Sequence, residues 1–211
     1  MFYRPGLDSH GLPHDPFKAL VAPRPIGWIS SADSSGGANL APYSFFNAVS
    51  EKPPMVMYCT MGLKLGGEER KDTLANIRAT GEFVANIVPL ALRDAMNLTS
   101  GPYPAGEDEF EIAGLTKAAS RLVAPPRVAE APAALECRVW KIVDLPGPSS
   151  AMVIGEVVGV FVDENVLRDG LVDVTLYQPL SRLGYKHYAA VREVFSLSRP
   201  GPLEKKQPKD E

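Results

Sequence analysis

Short runs of strand-forming apolar residues, separated by Pro, Gly, Asp and Ser, make up most of this chain. Residues 1–22 are the exception, with polar and turn residues and little periodicity. Across 23–31, Pro25 can open a strand, and Ile26, Trp28 and Ile29 supply strand formers. The Asp, Ser and Gly cluster of 33–37 predicts a hairpin turn. An extended stretch resumes over 39–44, and Pro53-Pro54 introduce a third strand over 55–60. Strands this close together, joined by short turns, predict an antiparallel β system.

A polar gap follows over 62–70, with Gly66-Gly67 giving a flexible loop. Asp72 or Thr73 then caps a helix carrying Leu74, Ile77 and Arg78, which Gly81 stops. Residues 82–88 read as a strand, and Pro89 fits the first turn of a second short helix running to Met96. The stretch 99–132 is loop-rich, and its acids Asp108, Glu109 and Glu111 read as a solvated face. Two long strands, 134–143 and 151–162, pair across Pro146-Gly147-Pro148. The second is apolar on both of its alternating faces, which predicts burial in a barrel wall, and Gly155 and Gly159 permit the bending that barrel closure needs. The expected architecture is mostly β: a small antiparallel barrel of five to seven strands with short helical insertions. The charged, proline-containing tail over 200–211 is expected to be disordered.

Composition narrows the function classes. The 211 residues carry 20 prolines, a net charge of −3 and 45% hydrophobic side chains. A basic patch suited to nucleic acid is missing, no apolar run approaches the ~18 residues of a membrane span, and no secretion signal is visible. The expected compartment is the cytoplasm. Cys59 and Cys137 cannot form a disulfide framework and read as small buried hydrophobes. Of three histidines, His10 and His14 are separated by Gly11 and Pro13, which forbid a shared helical face; no metal site is expected. No P-loop, Rossmann glycine fingerprint or nucleophile elbow occurs.

Three local features carry candidate chemistry. At N-L-A-P-Y-S-F-F-N, residues 39–47, Pro42 breaks the ladder and places aromatics, a hydroxyl and an amide at a strand end, a mixture suited to a planar heteroaromatic ligand. Read alone, Phe45 and Phe46 are equally core residues, and Ser44 and Asn47 turn formers. The second feature is Arg70-Lys71-Asp72-Thr73 at a helix start, where free N–H groups and a lysine favour phosphate, while Asp72 also fits simple capping. The third is Ser181-Arg182-Leu183-Gly184-Tyr185, where an arginine beside a glycine can approach an anion closely.

Taken together and in order, P-R-P-I-G-W-I-S-S, N-L-A-P-Y-S-F-F-N-A-V-S-E-K-P-P, K-D-T-L-A-N-I-R-A-T-G-E-F-V-A-N and S-R-L-G resemble the flavin reductase-like proteins with an FMN-binding split barrel, flavoredoxin-like branch. The resemblance covers residues 19–199 and leaves 1–18 as an N-terminal extension. It implies an antiparallel split barrel that dimerises, with one FMN per subunit at or near the interface. Ala41, Pro42, Tyr43, Ser44, Phe45, Phe46 and Asn47 would line the flavin ring, and Lys71, Asp72 and Thr73 would meet its phosphate. Ser30, Thr60, Arg182 and Gly184 carry over as further cofactor contacts, with Arg182 the candidate for the flavin's N1/C2 edge. The implied activity is hydride transfer from NADH or NADPH to flavin, with electrons passed on to an acceptor or a monooxygenase partner. The alternatives are an electron-transfer flavoprotein reduced by a protein partner, and a ligand-binding barrel without redox chemistry. In the family the last motif often runs Arg-Leu-Gly-Gly. Here Tyr185 stands at the second glycine and His187 follows, so these two are the candidate catalytic or substrate-side residues, His187 as a proton shuttle.

Overall fold

The computed structural model describes residues 1–63 and 71–201. The Gly66-Gly67 loop, Arg70 and the tail from 202 onward lie outside the described residues. Seven antiparallel strands form the main sheet: β1 (Gly27–Ala32), β2 (Ala38–Tyr43), β3 (Phe46–Glu51), β4 (Pro54–Thr60), β5 (Glu82–Ile87), β6 (Ala133–Asp144) and β7 (Ala151–Val162). Their order is β2-β1-β5-β6-β7-β4-β3. The sequence reading had six of these; β3 is the addition.

The two edges of this sheet are consecutive in the chain, separated only by Ser44 and Phe45. Three Cα–Cα steps limit the gap between Tyr43 and Phe46 to about 11 Å, so the sheet must curl until its edges meet. In effect β2 and β3 are one run of chain, bent at Ser44-Phe45, pairing with β1 before the bend and with β4 after it. Just past the bend, the Cys59 N–H donates to the Phe45 carbonyl at 2.8 Å. The outcome is a mostly-β antiparallel split barrel, and the bend is its seam. Pro42 is tolerated beside the bend because β2 is an edge strand.

Inside the barrel, Ile29, Tyr43, Phe46, Tyr58, Phe83 and Val153 pack with Leu74 and Ile77 of α1 (Asp72–Thr80). The ladder between β6 and β7 shifts register next to Gly155 and Gly159, as barrel bending requires. A Cβ at Gly155 would stand 2.6 Å from the Phe83 ring, so the glycine makes room for that side chain. Burial of β7 on both faces does not hold: Val153 and Gly155 are buried, but Val160 is 65% exposed, because no described residue covers that side chain. A second apolar cluster lies outside the barrel, where Trp28, Leu40 and Val88 meet Met96 of α2 (Arg93–Leu98) and Phe110 of α3 (Glu109–Ile112).

Several local expectations need correction. Pro89 stands one position before the helix and not in its first turn: it is the extended cap residue, bridges Pro179, and is followed by a 3-10 turn at Leu90–Leu92 that leads into the helix Arg93–Leu98 containing Met96. The cap of α1 is Lys71, with no side-chain capping bond, because Thr73 is buried and donates to Asn39 Oδ1 at 2.6 Å. Gly81 does end α1 in the left-handed region. Glu109 is not on a solvated face. It is buried, and its carboxylate accepts from Asn39 Nδ2 at 2.7 Å and from the Leu40 N–H at 2.9 Å. Asp108 caps α3 by accepting from the Phe110 N–H, which turns Glu109 and Phe110 inward. Cys137 is buried, whereas Cys59 is only half-buried.

A small three-stranded sheet, Leu180–Arg182 flanked by Arg24–Pro25 and Tyr188–Ala190, sits beside the seam. Among the described residues, no helix is long and apolar enough to cross a membrane.

Candidate functional site

A cleft of about 900 Å³ opens at the seam. One wall is the bend itself, with Pro42, Tyr43, Ser44 and Phe45. The opposite wall is the small sheet and its hairpin, with Arg182, Tyr185 and His187, and Lys71 closes one end. The size falls within the range of about 300–1,000 Å³ typical of small-molecule sites.

Arg24 builds the frame. Its buried guanidinium donates to the carbonyls of Lys18 and Val21 and, at 2.9 Å, to that of Leu183. Burial, and secondarily the charge of Arg182, hold its pKa below the ordinary value. The N-terminal segment is thereby strapped over the hairpin, and Gly184 lets the two backbones touch: a Cβ there would stand 2.4 Å from the Ala19 Cβ. This strap brings His14, Phe17 and Lys18 to the cleft. Arg182 stacks over the Tyr188 ring at 4.5 Å and donates to the Tyr185 carbonyl at 2.6 Å.

Among the described residues, charge in the cleft is predominantly positive: five lysines and arginines line it against one acid, Asp15. Lys71 is half-buried, and burial lowers its pKa. Its ammonium lies 6.0 Å from the Tyr43 ring centroid, and no ion pair joins it to another described residue. A partly desolvated cation of this kind is completed by an anion.

A smaller cleft of about 340 Å³ adjoins the first and shares Pro42, Tyr43 and Lys71 with it. Ala41, Asp72 and Thr73 line this second space, with the Asn39–Glu109 pair at its floor. Burial pushes the Tyr43 phenol up to about 12. Burial also raises the Glu109 carboxyl; bonds from Leu40 and Asn39 lower it and the charge of Asp72 raises it further.

The fold thus gathers Ala41, Pro42, Tyr43, Ser44, Phe45, Lys71, Asp72, Thr73, Arg182, Tyr185 and His187 around two adjoining clefts. Four expected contacts lie elsewhere in the single chain. Ser30 is buried and donates to the Pro126 carbonyl at 2.5 Å. Phe46 fills the barrel interior against Gly27, where a Cβ would stand 2.5 Å from its ring. Thr60 is buried in the sheet beside the Tyr43 phenol. Asn47 is exposed, opposite Met57 in the β3–β4 ladder. Gly184 acts through its contact with Ala19.

Sequence reasoning passed over Phe17, Lys18, Arg24 and Lys186, weighed His14 only as a metal ligand, and took Glu109 for part of a solvated face. Arg24 carried a signal, an arginine set between two prolines at a strand start; the others carried none. No cluster of His, Cys, Asp or Glu among the described residues could hold a metal ion.

Comparison with known proteins adds the ancestry of this arrangement. A protein of Aquifex aeolicus is 38% identical over 170 residues, covering 80% of this chain and 85% of its own. The crystal structure of nitrilotriacetate monooxygenase component B from Bacillus cereus is 32% identical with a TM-score of 0.83, covering 93% of this chain and 98% of that one. Flavoredoxin of Desulfovibrio vulgaris is 25% identical with a TM-score of 0.74, covering 90% of this chain and 96% of that one. The family model described as flavin reductase like domain matches residues 20–181, which hold the seven strands of the main sheet, the seam and Lys71 but neither the hairpin over 182–187 nor residues 14–18, and this chain belongs to that family.

Proposed function

We propose that the chain is an FMN-dependent oxidoreductase that takes hydride from NADH or NADPH and passes electrons onward. The observation that carries this reading is the seam cleft, in which an aromatic wall of Tyr43 and Phe45 faces the partly desolvated Lys71. That donor set fits a flavin mononucleotide: ring-stacking faces and small polar groups at the bend, cations for a phosphate. Tyr43, Ser44 and Phe45 would hold the ring and exclude water from one face. Lys71 would hold the phosphate, and Arg182 would place positive charge near the ring's N1/C2 edge, an electrostatic contribution set in advance by its bond to Tyr185. Bound FMN would supply the hydride-accepting chemistry, which no side chain of this protein supplies.

A homodimer fits the same reading. On the outer face of β4 and β7, Met57, Cys59, Met152 and Ile154 form an apolar patch with Cys59 opposite Met152 and Met57 opposite Ile154. Asn47 lies beside Met57, so a second copy docked there would bring Asn47 near the partner's seam. The monooxygenase component among the similar structures favours onward delivery to a separate protein. Flavoredoxin favours the second reading, electron transfer from a protein donor.

The test is an absorption spectrum after incubation with FMN and gel filtration, then after NADH or NADPH without oxygen. Retained yellow colour that a nicotinamide bleaches supports the oxidoreductase. Retained colour that both nicotinamides leave intact supports the protein-fed reading, and a protein that takes up no flavin overturns both.

A further inference from the structure

Tyr185 occupies a backbone position that favours glycine. The His187 N–H donates to the Gly184 carbonyl at 3.0 Å, closing the turn between Leu180–Arg182 and Tyr188–Ala190. Tyr185, its first central residue, has φ of +56°. Hairpin turns with a positive φ there select glycine, and a tyrosine is strained. The strain does not serve core packing, since the residue is 47% exposed. Its ring instead stands at the cleft, 5.6 Å from the His14 ring and 6.4 Å from that of His187.

The cations around it divide into two groups. Arg24 and Arg182 are engaged with backbone carbonyls and hold the frame. Lys18, from the strapped N-terminal segment, and Lys186, next to the strained tyrosine, line the cleft and form no ion pair with described residues. An aromatic surface flanked by imidazoles, with two uncommitted ammonium groups, suits a flat ring bearing a negative charge.

We propose that Tyr185, His14 and His187, with Lys18 and Lys186, form a subsite for a small aromatic carboxylate, the second substrate of the seam cleft. The substrate ring lies against Tyr185 and its carboxylate turns to the lysines. The role as second substrate rests on the flavin reading; the binding itself is a property of this chain. A nucleotide phosphate offers similar charge, so adenosine monophosphate serves as the competing probe.

The experiment is calorimetric titration of flavin-free and FMN-loaded protein with benzoate, benzamide and adenosine monophosphate. Benzoate should bind at least tenfold more tightly than benzamide, its neutral counterpart. Tyr185→Gly should weaken benzoate at least tenfold while raising the melting temperature; Tyr185→Phe should keep the affinity. The double variant Lys18→Gln, Lys186→Gln should erase the preference for benzoate. Equal binding of benzoate and benzamide, unchanged affinity in Tyr185→Gly, or adenosine monophosphate displacing benzoate as the tighter ligand would overturn the proposal. Failure of the flavin reading shows separately, as no FMN retained on gel filtration, and the flavin-free titration still decides the subsite.

Discussion

The guanidinium of Arg24 donates to the carbonyl of Leu183, 159 residues away in the chain, at 2.9 Å. Because the same group also binds the carbonyls of Lys18 and Val21, one buried side chain ties the start of the chain, a strand and the C-terminal hairpin into one cleft wall.

Arg24→Met removes these bonds while keeping an apolar stem. Charged hydrogen bonds are worth about 1.5–3 kcal/mol each, and part of that loss is regained because no charge is buried. Stability should fall by about 2–3 kcal/mol, lowering the melting temperature by about 4–12 °C. Thermal unfolding of flavin-free protein reads this, and an unchanged melting temperature would refute the strap.

Gly184→Ala places a methyl group where the Ala19 Cβ and Cα lie 2.4 and 2.7 Å away. Forcing the two backbones apart should cost about 1–3 kcal/mol. Adding Ala19→Gly removes one of the two collisions, so the double variant should recover part of the loss but not all. Denaturant midpoints of the four proteins give the coupling; strict additivity would mean the contact does not exist in solution.

Lys71→Met should weaken FMN at least tenfold, about 1.4 kcal/mol, without destabilising the flavin-free protein. Burial already holds the Lys71 pKa down, so the fold gains nothing from the charge. Flavin fluorescence titration and a melting curve separate the two effects. A fall in stability with unaltered FMN affinity would reassign Lys71 to the fold.

Glu109 predicts a pH dependence of stability. Its folded-state pKa is raised, first by burial, so the protonated form is favoured in the native state. That contribution is fully present below the ordinary carboxylate value and is lost as pH rises through the raised one. Stability should therefore decline across a window that opens near 4.5, the ordinary value for Glu, and extends upward. In Glu109→Gln this part of the profile should be flat, as measured by urea unfolding across pH. An identical slope in both proteins would place the titration elsewhere.

Six of the seven main strands were readable because they announce themselves locally, through runs of strand-forming apolar residues and bounding Pro or Gly. The cleft's bend was readable for the same reason, since Pro42 and the aromatics after it are neighbours in sequence. The N-terminal wall was not. Its position depends on Arg24 reaching Leu183 and on Ala19 meeting Gly184, contacts that no local pattern encodes. Glu109 was misread because three acids in a short stretch look like surface; only the Asp108 cap and the packing of Phe110 show that the middle one turns inward. Strand β3 was overlooked because its alternation is weak and most of its residues are exposed.

The seam also bears on how the molecule behaves in a crowd of its own copies. Sheet edges are templates for foreign strands, and proteins that keep them open risk aggregation. Here β2 and β3 are the two edges of the main sheet, and the two-residue bend sets them end to end instead of leaving them on opposite flanks. Glu109, from α3, claims the N–H of Leu40, a backbone donor on β2. A barrel left unzipped along one line is thereby kept from recruiting a neighbour's strand to finish the ladder.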